Sequence, residues 1–181
     1  MIESAAIFLL SACALPGQAS SPHFENDILP LLGRHGCNAS GCHGKAEGQG
    51  GFKLSVLGSD PDADRAAIVK EGRGRRVSPS SPDESLLLRK ASGRVAHGGG
   101  VKIPSGSEDY QAMRAWIAIG SPAGSPDAPT LASIRVEPEA GVMGPVSTTR
   151  LRVLARFSDG REKDVTRHAR FQTNAESVAT V

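Results

Sequence analysis

Gly36-Cys37-Asn38-Ala39-Ser40-Gly41-Cys42-His43-Gly44-Lys45 is the stretch on which the reading of this chain turns. Two cysteines with four residues between them are followed at once by a histidine. Upstream, Phe24–Leu32 reads as a short helix with Ile28, Leu29, Leu31 and Leu32 on an apolar side, stopped by Gly33 and Gly36. Downstream, Gly44–Gly51 is loop, and Phe52–Leu57 alternates Phe52, Leu54 and Val56 in strand fashion. Asp60-Pro61-Asp62 opens a helix to about Glu71, with acids in its first turn. Ser81-Pro82-Asp83-Glu84 predicts a capping box, Ser81 capping and Glu84 answering three residues later; Leu86, Leu87 and Leu88 continue that helix to Gly93. Arg94–Gly106 is a second glycine-rich loop. Ser107-Glu108-Asp109 starts a helix to about Ile119 that puts Tyr110, Met113, Trp116 and Ile117 on one face, with Gly120 as terminator.

Around this unit the composition sets limits. Of 181 residues, 39% are hydrophobic but only 4% aromatic, so a core must be filled by aliphatic side chains unless a large apolar group fills it instead. The 21 Gly and 12 Pro argue against a simple helical bundle. A formal net charge of +2, with basic residues spread and few aromatics between them, excludes nucleic acid as an expected partner. Ala5–Leu15 is apolar and too short to span a bilayer, and residues 1–19 read as an export signal, although Met1-Ile2-Glu3 lacks the usual positive charge. Cleavage after Ala19 is one processing route. Leu10-Ser11-Ala12-Cys13 matches a lipobox, the signal then ending at Ala12 and a lipidated Cys13 tethering the chain to a membrane. The competing reading is a buried apolar helix. Export predicts a periplasmic or cell-surface location.

In an oxidising compartment Cys37 and Cys42 would not stay free thiols. The chemistry that suits two cysteines with an adjacent histidine is one covalent haem c, held by thioethers from Cys37 and Cys42, with His43 on the iron. The usual spacer is two residues; here it is four, and Ser40-Gly41 would let it bulge. Other readings stay open: a structural zinc on His35, Cys37, Cys42 and His43, a Cys37–Cys42 disulfide without cofactor, or a thiol redox site. The sixth iron position would take Met, His, Lys or nothing. His97, in Ala96-His97-Gly98-Gly99-Gly100, is the candidate metal ligand; Met113 reads as core, and Met143 and His168 lie in the other unit. Arg73-Gly74-Arg75-Arg76 reads either as a solvated loop or as a source of haem-propionate partners, Arg75 and Arg76, because guanidinium planes suit carboxylates.

Ser121–Pro129 is a linker by composition. Beyond it, Ile134-Arg135-Val136, Leu151–Phe157 and Ser177–Val181 read as strands, with Ser158-Asp159-Gly160-Arg161 a turn. The strand pattern suggests a piece of β-sandwich, too short for a comfortable sandwich core.

The stretch Phe24–Gly120 resembles the planctomycete-type cytochrome c domain. The matching residues are Gly36–Lys45, then Pro82-Asp83-Glu84-Ser85-Leu86-Leu87-Leu88, and Trp116-Ile117-Ala118-Ile119-Gly120 as the final helix. The departures are the four-residue cysteine spacer and the lack of a Met-Pro-Pro motif before the last helix, where members of that family place the second axial ligand. His97 lies near that point. From Leu131 the chain resembles the first part of a bacterial group 2 immunoglobulin-like domain, through Ile134–Val136, Leu151–Gly160, Lys163-Asp164-Val165-Thr166 and Ser177–Val181. The resemblances imply a small mainly-α cytochrome c-like domain (residues 20–120) plus an incomplete all-β immunoglobulin-like sandwich (130–181). They imply an exported monohaem module for electron transfer outside the cytoplasm, working with a redox partner protein, and a carrier more than a catalyst. The alternatives are a non-redox exported binding or spacer protein with a Cys/His zinc site or disulfide, and a haem sensor or peroxidase centre with an open sixth position.

Overall fold

Apolar residues crowd the start of the helical unit, and they set its first turns. The computed structural model describes residues 21–181; the export signal and Cys13 lie outside the described residues. Phe24–Ile28 forms one wide turn, and α1 (Leu29–Arg34) continues from it. Phe24, Ile28, Leu29, Leu31 and Leu32 are all buried, so the predicted helix exists in two windings. α2 (Pro61–Val69) begins where Asp60 predicts: its carboxylate accepts from the Ala63 amide at 3.0 Å, and Pro61 takes the first position. α4 (Glu108–Ala118) is capped by Ser107, whose Oγ accepts from the Tyr110 amide at 3.2 Å. Its Tyr110, Met113, Trp116 and Ile117 are buried, as the spacing predicts, and the fully buried Trp116 meets Phe24 with ring centroids 5.5 Å apart.

Two local expectations fail for identifiable reasons. The Ser81 capping box is not made. Pro82–Glu84 is a single tight turn, Ser85 leaves helical geometry at φ −56 and ψ 128, and α3 is only Leu86–Ala91. Tertiary partners outbid the box: Asp83 accepts from the Tyr110 hydroxyl and from Arg114 Nε, both at 2.8 Å, and Glu84 accepts from Arg94 at 2.7 Å. Phe52–Leu57 is not a strand either. Phe52 bridges only Gln49, and the segment folds back on the cysteine loop, with the Leu54 amide donating to His43 O at 2.8 Å. Leu57 then turns outward at φ 56.

The linker is docked at both ends. Arg65 donates twice to Ser121 O (3.0 and 2.8 Å), Trp116 Nε1 to Pro122 O (2.8 Å), the Phe24 amide to Ala123 O (2.9 Å) and Asn26 Nδ2 to Pro129 O (2.9 Å). At Gly124, φ is +109 and a Cβ would sit 2.0 Å from the His23 ring, so only glycine fits.

The carboxy-terminal part is a three-stranded antiparallel sheet in the order β1 (Leu131–Glu137), β2 (Arg152–Phe157), β3 (Glu162–Asp164). Ile134 opposes Ala155 and Val136 opposes Val153, which gives one apolar face. The other face carries an ion-pair ladder through Arg135, Glu137, Arg152, Glu162 and Asp164. The third strand is Glu162–Asp164, reached by the predicted turn at 158–161. Ser177–Val181, expected as a strand, is not one: the Val178 and Ala179 amides both donate to Ala175 O, and Val178 is exposed. Arg167 ties this part to α4, donating to Glu108 at 2.7 Å and Asp109 at 3.1 Å. Among the described residues no helix is long and apolar enough to cross a membrane.

Candidate functional site

The Cys37–His43 loop is closed by its own backbone. The Cys37 amide donates to Leu32 O (2.9 Å), Cys42 to Ala39 O (2.9 Å), His43 to Cys37 O (3.0 Å) and Gly44 to Ala39 O (3.0 Å). Asn38 is buried at the base of the four-residue spacer and only Ser40 and Gly41 reach solvent, with both cysteines on the cavity wall. Gly44 makes the closure possible. A Cβ there would lie 2.2 Å from Asn38 O.

Cys37, Cys42 and His43 form one wall of a cavity of about 670 Å³, within the usual range for small-molecule and cofactor sites. Both cysteines are free thiols, and burial pushes the Cys37 thiol up to about 11, against the nearby Lys102 charge. Leu32, Leu86, Leu87, Ala91 and Ile103 supply apolar wall. Arg75, Arg76, Lys90 and Lys102 also line it, and among the described residues no carboxylate does.

His43 Nδ1 lies 3.0 Å from Phe52 O, and His97 Nδ1 lies 2.9 Å from Gly100 O. A carbonyl only accepts, so each imidazole donates from Nδ1, and Nε2 is the nitrogen left to meet a ligand. Burial pushes His43 below its ordinary value, and the neighbouring His97 and Arg76 charges act the same way, against the opposing bond to Phe52 O. That keeps the ring neutral and able to ligate. The two rings are 10° from parallel with centroids 6.2 Å apart.

His97 therefore shares a cavity with His43, Cys37 and Cys42. Met113 is fully buried, as its helix face predicts, and it also lines the cavity. Arg75 and Arg76 both reach the wall, but two of the Arg76 donors are engaged by backbone: Nη1 bonds Ala67 O at 2.7 Å and Nη2 bonds Gly51 O at 2.5 Å. His35 is turned elsewhere, its Nε2 2.8 Å from Asp109. The four-ligand zinc set does not assemble, and among the described residues no three His, Cys, Asp or Glu side chains converge. A haem iron asks less of the chain, since the porphyrin supplies four ligands and the protein only axial ones.

Phe52, Lys90 and Lys102 belong to this site and carry no motif. Phe52 acts through its carbonyl, which no side-chain pattern encodes. The two lysines flank the His97 loop in sequence, and that proximity is the signal that could have found them. Compared with known proteins, the chain matches no family model, no curated protein and no solved structure.

Proposed function

We propose that this cavity holds one covalent haem c and that the protein is an exported, one-electron carrier acting outside the cytoplasm. The observation that carries the reading is that His43 and His97, near-parallel and each held through Nδ1, line one cavity with the two free thiols of Cys37 and Cys42. Cys37 and Cys42 would supply the thioether attachments and His43 and His97 the nitrogen ligands. When bound, the haem supplies reversible ferric–ferrous chemistry.

The residues around that group fit its chemistry. Leu32, Leu87, Ile103 and Met113 line the cavity and would keep water from an apolar macrocycle. Arg75, Lys90 and Lys102 offer cations, with no competing acid, to the two propionates; Arg76 stands beside them on the same wall. Two histidines available to the iron would leave no open position for a sensor or peroxidase role, which favours electron transfer. The apolar Ala5–Leu15 segment supports export, and Cys13 offers a lipid tether. The β-part serves as an immunoglobulin-like spacer.

Expression alongside a cytochrome c maturation system tests the reading. Denaturing electrophoresis should give a haem-staining band that acid–acetone extraction does not remove. A colourless protein, with or without zinc, would overturn it.

A further inference from the structure

Arg76 is 5% exposed, yet among the described residues no carboxylate pairs with it. A buried guanidinium is costly unless its donors are satisfied. Here Nη1 bonds Ala67 O on α2, Nη2 bonds Gly51 O, and the guanidinium carbon lies 4.7 Å above the Phe52 ring. The Phe52 ring packs in turn against His43 with centroids 4.6 Å apart, and Phe52 O takes the His43 Nδ1 proton. The turn between them is closed on itself: the Gln49 amide donates to Phe52 O at 2.8 Å and the Phe52 amide to Gln49 O at 3.1 Å. Arg76 thus rests on Phe52 and Phe52 on His43, whose ring lies tilted 49° to it; the His97 ring stands 6.2 Å beyond.

We propose that Arg76 is a positioning residue for His43: by pinning the Gly51 carbonyl to α2 and bracing the Phe52 ring, it fixes the orientation and the Nδ1–H tautomer of that imidazole. Outer groups that hold a metal-binding histidine set both its angle and its donor strength. The inference rests on the reading of His43 as an axial ligand. It gives Arg76 a task distinct from pairing with a carboxylate at the cavity mouth. Lysine cannot substitute fully, because a single ammonium lacks the planar fork that reaches two carbonyls and lies flat on a ring.

The test uses the haem-loaded full chain with Arg76→Met, Arg76→Lys and Phe52→Leu, read by ferric electron paramagnetic resonance, midpoint potential and thermal unfolding. Arg76→Met should keep its covalent haem, replace one sharp low-spin signal by a broadened or split one, and lower the potential through loss of a nearby cation. Arg76→Lys should restore the potential but not the single signal. Phe52→Leu should broaden the signal with the charge in place. An unchanged signal in Arg76→Met overturns the proposal, whether the variant only melts earlier or instead shows a new pH dependence of potential, the mark of a carboxylate partner. If the chain takes up no haem, the reading of the cavity fails while this inference is still measured on the apoprotein. Ring nitrogen-15 shifts of His43 at pH 8 should then report one tautomer in the parent and an average of two in Arg76→Met. Identical shifts would overturn it.

Discussion

Arg167 Nη2 donates to Asp109 Oδ1 at 3.1 Å, while Arg34 and His35 share the other oxygen at 2.6 and 2.8 Å. One carboxylate, its side chain 6% exposed, thus joins α1, α4 and the β-part. Burial alone would raise the Asp109 carboxyl; the bonds from His35 and Arg167 and the Arg34 charge outweigh it and hold it below the ordinary carboxylate value. A carboxyl depressed in the folded state adds stability above its unfolded value of about 4, and that share is lost as pH falls through the lower folded value. Acid titration followed by fluorescence of Trp116 should therefore show the parent losing stability below about pH 4 more steeply than Asp109→Asn.

At neutral pH the same cluster predicts an asymmetry between its members. Asp109→Ala removes the shared counter-charge of Arg34 and Arg167, leaving Glu108 to Arg167 alone, and should cost about 2–3 kcal/mol, discounted for their exposure. Arg167→Ala removes a half-exposed partner and should cost less than about 1 kcal/mol. Urea unfolding measures both. Equal costs would mean that Asp109 is not the hub.

Replacement of His97 by Ala should open a coordination position in the haem-loaded protein, giving a high-spin ferric spectrum that returns to low-spin on adding imidazole. Met113→Leu nearly conserves volume and should perturb only packing, by less than about 1.5 kcal/mol. The reverse pattern, His97→Ala silent and Met113→Leu high-spin, would assign the sixth position to Met113, which also lines the cavity.

Gly44→Ala should disable the cysteine loop. Its Cβ would meet backbone, Asn38 O at 2.2 Å and Ala39 O at 2.9 Å, and backbone cannot swing aside as a flexible side chain does. A loss of at least about 3 kcal/mol and a sharp fall in haem incorporation are expected. Gly41→Ala has open space around it and should be nearly neutral in the same assay.

What could be read from the sequence was local chemistry. Asp60 and Ser107 cap the helices they announce, because their side chains have no stronger partner than the adjacent amides. Ser81 and Glu84 carry the same kind of signal and fail, since Arg94 reaches Glu84 and α4 reaches Asp83 from distant parts of the chain. Phe52, Leu54 and Val56 alternate like a strand, but the Leu54 amide is taken by His43 O and no neighbouring strand is offered. The Cys37, Cys42 and His43 grouping is legible because it is contiguous. His97 could be named only as a candidate, since 53 intervening residues had to fold before its ring came near His43. Asp109 gave no sign at all, its partners being scattered from Arg34 to Arg167.

A free tether as long as residues 121–129 would let its cargo wander over an end-to-end distance of about 15–18 Å. Bound at Ser121, Pro122, Ala123 and Pro129, it has no such play. The sheet leaves the helical unit on a fixed bearing, and a pull on it is transmitted through Pro122 to the buried indole of Trp116. Gly124 marks the joint where that stiffness is most easily undone. A methyl group there would lift the strap from His23 and turn a rigid bracket into a hinge.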